Sequence, residues 1–110
     1  MGGEINGLDH DTQLKFGAWV SRSIDTVYLA ATDGFVLVSL TQPGWVFLTG
    51  KSSAANPPAV KMYDLSYQSA GQDYAGMEFL VRKDEYWKVE TSSGAPTVYW
   101  IPLEEVVIRP

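Results

Sequence analysis

With 110 residues the chain has the length of one domain, and 45% hydrophobic, 13% aromatic and 19% charged residues exclude a disordered chain. A formal charge of −5, with its eight Lys and Arg scattered along the sequence, gives no clustered cationic surface to displace counterions from nucleic acid. The absence of cysteine removes a disulfide framework, a thiolate metal site and a thiol nucleophile.

The chain starts Met1-Gly2-Gly3-Glu4-Ile5-Asn6, without the basic start and apolar run of a secretory signal. No stretch approaches the roughly 18 apolar residues of a membrane helix. These features predict synthesis in the cytoplasm with no signal peptide and no membrane insertion.

Residues 1–15 are Gly-rich, acidic and without sustained periodicity, and are expected to form an N-terminal arm. Residues 16–110 are expected to form an all-β domain, an antiparallel β-sandwich or jelly roll of about eight short strands. The predicted strands cover 16–20, 26–30, 35–41, 45–51, 60–65, 77–81, 86–90 and 98–103, each rich in β-branched and aromatic residues. Between them, Thr32-Asp33-Gly34 has the chemistry of a hairpin turn and Gln42-Pro43-Gly44 that of a type II turn. Arg82-Lys83-Asp84-Glu85 fits a tight turn before Tyr86, and Ser92-Ser93-Gly94-Ala95 a further turn. Two longer connections, 52–59 and 66–76, are the natural places for a binding loop.

Several strands do not alternate apolar and polar residues as an antiparallel strand with one wet face should. Phe35-Val36-Leu37-Val38-Ser39-Leu40, Trp45-Val46-Phe47-Leu48 and Val98-Tyr99-Trp100-Ile101 are apolar on both faces for most of their length. A two-sheet sandwich buries one face per sheet, so the surplus needs cover from another chain. Phe35, Leu37, Trp45, Phe47, Tyr99 and Ile101 are therefore the expected contacts between copies.

Chemistry is sparse by comparison. Gly50-Lys51-Ser52 ends like a phosphate-binding loop, but Gly44 stands one position too early and Trp45-Val46-Phe47-Leu48 is strand-like where exposed amides are required. His10, between Asp9 and Asp11, is the sole histidine, too few for a zinc cluster or a Ser-His-Asp relay within one chain. Asp84-Glu85 and Glu104-Glu105 are adjacent pairs whose side chains point apart. The expectation is a protein without catalytic residues, metal or cofactor. Tyr67, Gln68, Gln72, Asp73 and Tyr74 combine flat aromatic faces with amide and carboxylate groups, a mixture suited to stacking on and hydrogen-bonding a sugar.

The runs Thr26-Val27-Tyr28-Leu29-Ala30-Ala31-Thr32-Asp33-Gly34-Phe35-Val36, Tyr86-Trp87-Lys88-Val89 and Thr97-Val98-Tyr99-Trp100-Ile101-Pro102-Leu103 resemble small trimeric β-sandwich domains of bacteriophage fibres and other virion proteins. These are broadly similar to the C1q and tumour-necrosis-factor jelly roll. The resemblance covers roughly residues 17–103 and implies a homotrimeric, non-enzymatic virion component. The roles it implies are a tail-fibre tip or a capsid decoration protein, acting in host attachment or particle stability. Its implied partners are further copies of itself, capsid or tail proteins met through residues 1–15, and a host-surface glycan. The alternative is a cellular lectin-like or collagen-associated jelly-roll module.

Overall fold

The computed structural model describes residues 12–41, 46–67, 75–92 and 94–107. Among them are nine strands and no helix: β1 (Thr12–Phe16), β2 (Val20–Arg22), β3 (Tyr28–Leu29), β4 (Gly34–Leu40), β5 (Val46–Ser53), β6 (Lys61–Tyr67), β7 (Ala75–Val81), β8 (Tyr86–Thr91) and β9 (Thr97–Val107). They form two antiparallel sheets packed face to face, an all-β sandwich. One sheet has the order β1-β9-β4-β7 with β2 also on β9, and the other has the order β3-β8-β5-β6.

β1 and β2 are successive lengths of a single edge. Phe16 lies opposite Leu103 and Val20 opposite Trp100, so both pair with β9. The single strand expected at 16–20 is thus replaced by two, with β1 beginning at Thr12, inside the region that composition assigns to the arm. Its sequence explains the pairing: Leu14 and Phe16 alternate with Gln13 and Lys15, as a strand requires. At the break the Gly17 N–H donates to the Pro102 carbonyl at 2.7 Å.

Counted with β1 and β2 as one strand, the pairings nest: β2 with β9, β3 with β8, β4 with β7 and β5 with β6. The chain is a long antiparallel ribbon closed at its β5-β6 end, and successive rungs of that ribbon fall in alternate sheets. Thr32-Asp33-Gly34 therefore does not close a hairpin. It carries the chain from β3 in one sheet to β4 in the other. Asp33 secures the crossing: its Oδ1 accepts the Lys83 N–H at 2.7 Å and its carbonyl accepts the Leu103 N–H at 2.8 Å. Gly34 is needed there for closeness, since a Cβ would stand 2.6 Å from both the Ile101 carbonyl oxygen and the Trp100 ring. The tight turn expected at 82–85 is present, with Asp84 at φ 71° and the Glu85 N–H donating to the Arg82 carbonyl.

The core comes from alternate residues of each strand. Val36, Val38 and Leu40 of β4, Met77, Phe79 and Val81 of β7, and Val98 and Trp100 of β9 face Val46 and Leu48 of β5 and Trp87 and Val89 of β8. Full burial of aliphatic side chains of this size stabilises a fold by about 1.5–3 kcal/mol each. Gly50 leaves room for this packing, because any Cβ there would overlap the Phe79 ring from the opposite sheet.

Candidate interaction surface

The two sheets differ in what they turn outward. On the β3-β8-β5-β6 sheet the outward side carries Leu29 and Phe47, 57% and 48% exposed, alongside polar residues that are paired with one another. Lys51 and Lys88 each place Nζ 3.1 Å from a different carboxylate oxygen of Glu90. Thr49 Oγ1 donates to Asp64 Oδ1 at 3.1 Å, and Lys61 lies 3.6 Å from the other oxygen of Asp64. Partial burial by itself raises the Glu90 carboxyl. The hydrogen bonds from Lys51 and Lys88, with the attraction of both ammonium groups, outweigh it and hold Glu90 below the usual carboxylate range.

The other sheet turns an apolar face outward. Inward Val36 and Val38 on β4 leave Phe35 and Leu37 on the opposite side by strand alternation. Phe35 stands between Ile101 of β9 and Leu80 of β7, and Leu37 between Tyr99 of β9 and Glu78 of β7. The split edge extends this face: Phe16, opposite Leu103, brings its ring within 5.7 Å of the Phe35 ring, and Trp19 brings its indole within 5.5 Å of Tyr99. Phe16, Trp19, Phe35, Leu37, Ile101 and Glu78 line an open hollow of about 350 Å³. Phe16 and Trp19 are each 60% exposed and Leu80 48%. Glu78 is the sole ionisable group among those lining residues.

Of the residues expected at a contact between copies, Phe35, Leu37, Tyr99 and Ile101 are brought together on this face. Phe47 is not among them. It points outward from the other sheet, with its backbone hydrogen-bonded to Ser92, because the inward positions of β5 are taken by Val46 and Leu48. Trp45 lies outside the described residues. Phe16, Trp19, Leu80 and Glu78 belong to the face but were not singled out from the sequence. The alternation of Leu14 with Phe16 is the signal that would have found part of the set.

Tyr67 closes β6 opposite Val46, while Gln68, Gln72, Asp73 and Tyr74 of the sugar-loop expectation lie outside the described residues, as does His10. Gly50-Lys51-Ser52 is a stretch of β5 hydrogen-bonded between β6 and β8, and Lys51 is committed to Glu90. Its amides are consumed by the sheet. Glu104 and Glu105 fall on opposite faces of β9, across from Lys15 and Leu14 respectively. Among the described residues no group of three His, Cys, Asp or Glu side chains converges.

A hollow lined by aromatic and aliphatic side chains with one carboxylate is chemically suited to meeting another apolar protein surface, where exclusion of water drives association. No family model matches the chain, nor does any curated protein or solved structure.

Proposed function

We propose that the chain is a non-enzymatic structural protein of a virion that works as a homotrimer, as a fibre tip or a surface decoration protein. The observation that carries the self-association is the contrast between the two outer faces. One bears Glu90 between Lys51 and Lys88, and Asp64 bound to Thr49 and Lys61, with Phe47 and Leu29 beside them, and the other bears Phe16, Trp19, Phe35, Leu37, Leu80 and Ile101 around a single carboxylate in its hollow. Exposed apolar patches rimmed by polar residues mark interaction sites on proteins of this size.

The number of copies and the virion setting rest on the resemblance of the Tyr28, Trp87 and Tyr99 strands to trimeric fibre and virion domains. The nested strand order supports reading the sandwich as a jelly roll, whose two Greek keys arise when an antiparallel ribbon is rolled so that its rungs alternate between sheets. In this reading the apolar face turns toward the other subunits and the charged face toward solvent.

Native mass spectrometry combined with light scattering at micromolar concentration is the test. A three-chain species is the expected result, and a monodisperse monomer sinks the reading. Co-sedimentation with purified capsids or tails then separates the virion role from a free-standing lectin-like module, for which retention by the particle is not expected.

A further inference from the structure

β9 runs past the end of its neighbour in the sheet. Its pairing with β4 stops at Pro102 opposite Gly34, and β2 borders it only at Val98, Tyr99 and Trp100. On the β4 side, the Leu103 N–H donating to the Asp33 carbonyl at 2.8 Å is the last backbone bond among the described residues. From there residues 103–107 pair with β1 alone. The two strands leave the sandwich as a ribbon, and neither of its long edges meets a further strand among the described residues. A two-stranded ribbon is marginally stable at best in water, and each open edge is a template for another strand.

The ribbon carries the apolar face out with it. Directly opposed residues share a side of a sheet, so Phe16 with Leu103 and Leu14 with Glu105 continue the side that holds Phe35 and Ile101. Leu14 is 65% exposed there and Phe16 60%. The opposite side holds Lys15 across from Glu104 and Gln13 across from Val106. The ribbon's charged residues, Lys15 on β1 and Glu104 and Glu105 on β9, are exposed, and none has an ion-pair partner among the described residues.

We infer that the β1 edge of one copy pairs with the residue 104–107 edge of β9 of the next, so that the ribbons of the trimer close a barrel of about six strands on its axis. Direction favours this contact. β1 and β9 are antiparallel within a copy, so rotating copies about an axis along the ribbon sets β1 antiparallel to the neighbouring β9 at every junction. Such a heterologous contact uses both edges of every copy and leaves none open once the ring closes, whereas β1 on β1 or β9 on β9 leaves one edge of each copy bare. Charge selects the same contact. β1 on β1 brings Lys15 toward Lys15, and β9 on β9 brings Glu104 and Glu105 toward themselves, but β1 on β9 sets the cationic strand beside the acidic one. With Phe16, Leu103 and Leu14 turned to the axis, Glu105 is the carboxylate that turns there with them. The inference rests on the homotrimer proposed above and adds a backbone-paired junction distinct from the hollow around Phe35 and Leu37.

Disulfide trapping tests it. The chain has no cysteine, so one introduced thiol per copy reports its neighbour. Glu104 and Val106 are the positions of the β9 edge on the same side as Lys15. Lys15→Cys is co-expressed with Glu104→Cys and, separately, with Val106→Cys, and the linked dimers formed under a mild oxidant are identified by intact mass. In at least one mixture, dimers joining the two different variants are expected in at least fivefold excess over dimers of either variant with itself. Self-linked dimers prevailing in both mixtures, or no linked species beside a trimeric wild type, overturns the inference and leaves the homotrimer standing. A monomeric wild type by native mass spectrometry removes the trimer reading itself. Glu105→Gln supplies a second readout. It is expected to lower the concentration at which the trimer dissociates by about two- to fivefold, the size of a like-charge penalty between facing strands. Unchanged or weaker association of that variant overturns the placement of the ribbon's apolar side toward the axis.

Discussion

Trp87 of β8 stacks on Trp100 of β9 with ring centroids 5.7 Å apart and 20° between the planes, joining an interior strand of one sheet to an interior strand of the other. The column continues outward, with Tyr28 4.9 Å from Trp87 and the Arg22 guanidinium 5.2 Å above the Tyr28 ring. Such contacts add to burial because offset rings align their quadrupoles favourably. Trp87→Ala is expected to lower the free energy of unfolding by about 3–5 kcal/mol, the range for removing a buried aromatic. Trp19→Ala, on the exposed face, is expected to change monomer stability by no more than about 0.5 kcal/mol. Urea titration at a concentration low enough to keep the chain monomeric reads both.

Gly50 and Phe79 form a matched pair across the core. A methyl group at position 50 cannot be accommodated without moving the Phe79 ring, and Phe79 itself is 5% exposed with little room to move. Gly50→Ala is therefore expected to destabilise the domain by about 1–3 kcal/mol through overpacking. The combination Gly50→Ala with Phe79→Leu is expected to cost less than the sum of its parts. A double-mutant cycle by denaturation checks this, and simple additivity would show that the two do not share the space.

Both tryptophan strands and the positions of most strands were legible in the sequence, whereas which sheet each strand joins was not. Runs rich in Val, Phe, Tyr and Trp at 35–41, 77–81 and 86–90 lie within a residue or two of β4, β7 and β8, because strand propensity and burial agree there. Turn chemistry was less informative. Asp33 and Gly34 offer hairpin signals, but whether a chain stays in its sheet or crosses is set by which faces must be buried, a non-local property. The double apolarity of Phe35 to Leu40 correctly marked a strand with an uncovered outer side. The same pattern at Phe47 had another outcome, since Thr49, Lys51 and Ser53 continue that outer row with polar residues. Trp19 and Phe16 escaped because the edge is split at Gly17, which disrupts the period-two pattern that would have connected them.

On the polar face, Glu90 sets a pH dependence. Its folded carboxyl titrates below the usual value, so between the two values the unfolded chain binds more protons than the folded one. The stabilisation is fully present above the unfolded carboxylate value of about 4.3 and is lost as pH falls through the lower folded value. Glu90→Gln is expected to cost under about 1 kcal/mol at pH 7, small because the triad is partly solvated and screened. The gap between wild type and variant should narrow as the pH falls from the unfolded carboxylate value of about 4.3 and close once it has passed through the lower folded value, where the wild-type carboxylate is protonated. Urea midpoints measured from pH 7 to pH 3 follow it, and a gap that widens toward acid would contradict the assigned partners.

If the Phe35 and Leu37 face is covered by other copies in solution, folding and assembly are linked, and stability depends on protein concentration through mass action. The melting temperature of the wild type is expected to rise as concentration increases from the low-micromolar to the high-micromolar range. Phe35→Glu places a charge at the centre of the face, between Ile101 and Leu80, and is expected to abolish that dependence while leaving the inward packing of Val36 and Val38 in place. Thr49→Glu on the opposite sheet puts a charge on a face that already carries Lys51, Lys88 and Glu90, and is expected to preserve the dependence. Differential scanning calorimetry across the dilution series compares all three proteins. Equal slopes for wild type and Phe35→Glu would mean that some other surface, or none, holds the copies together.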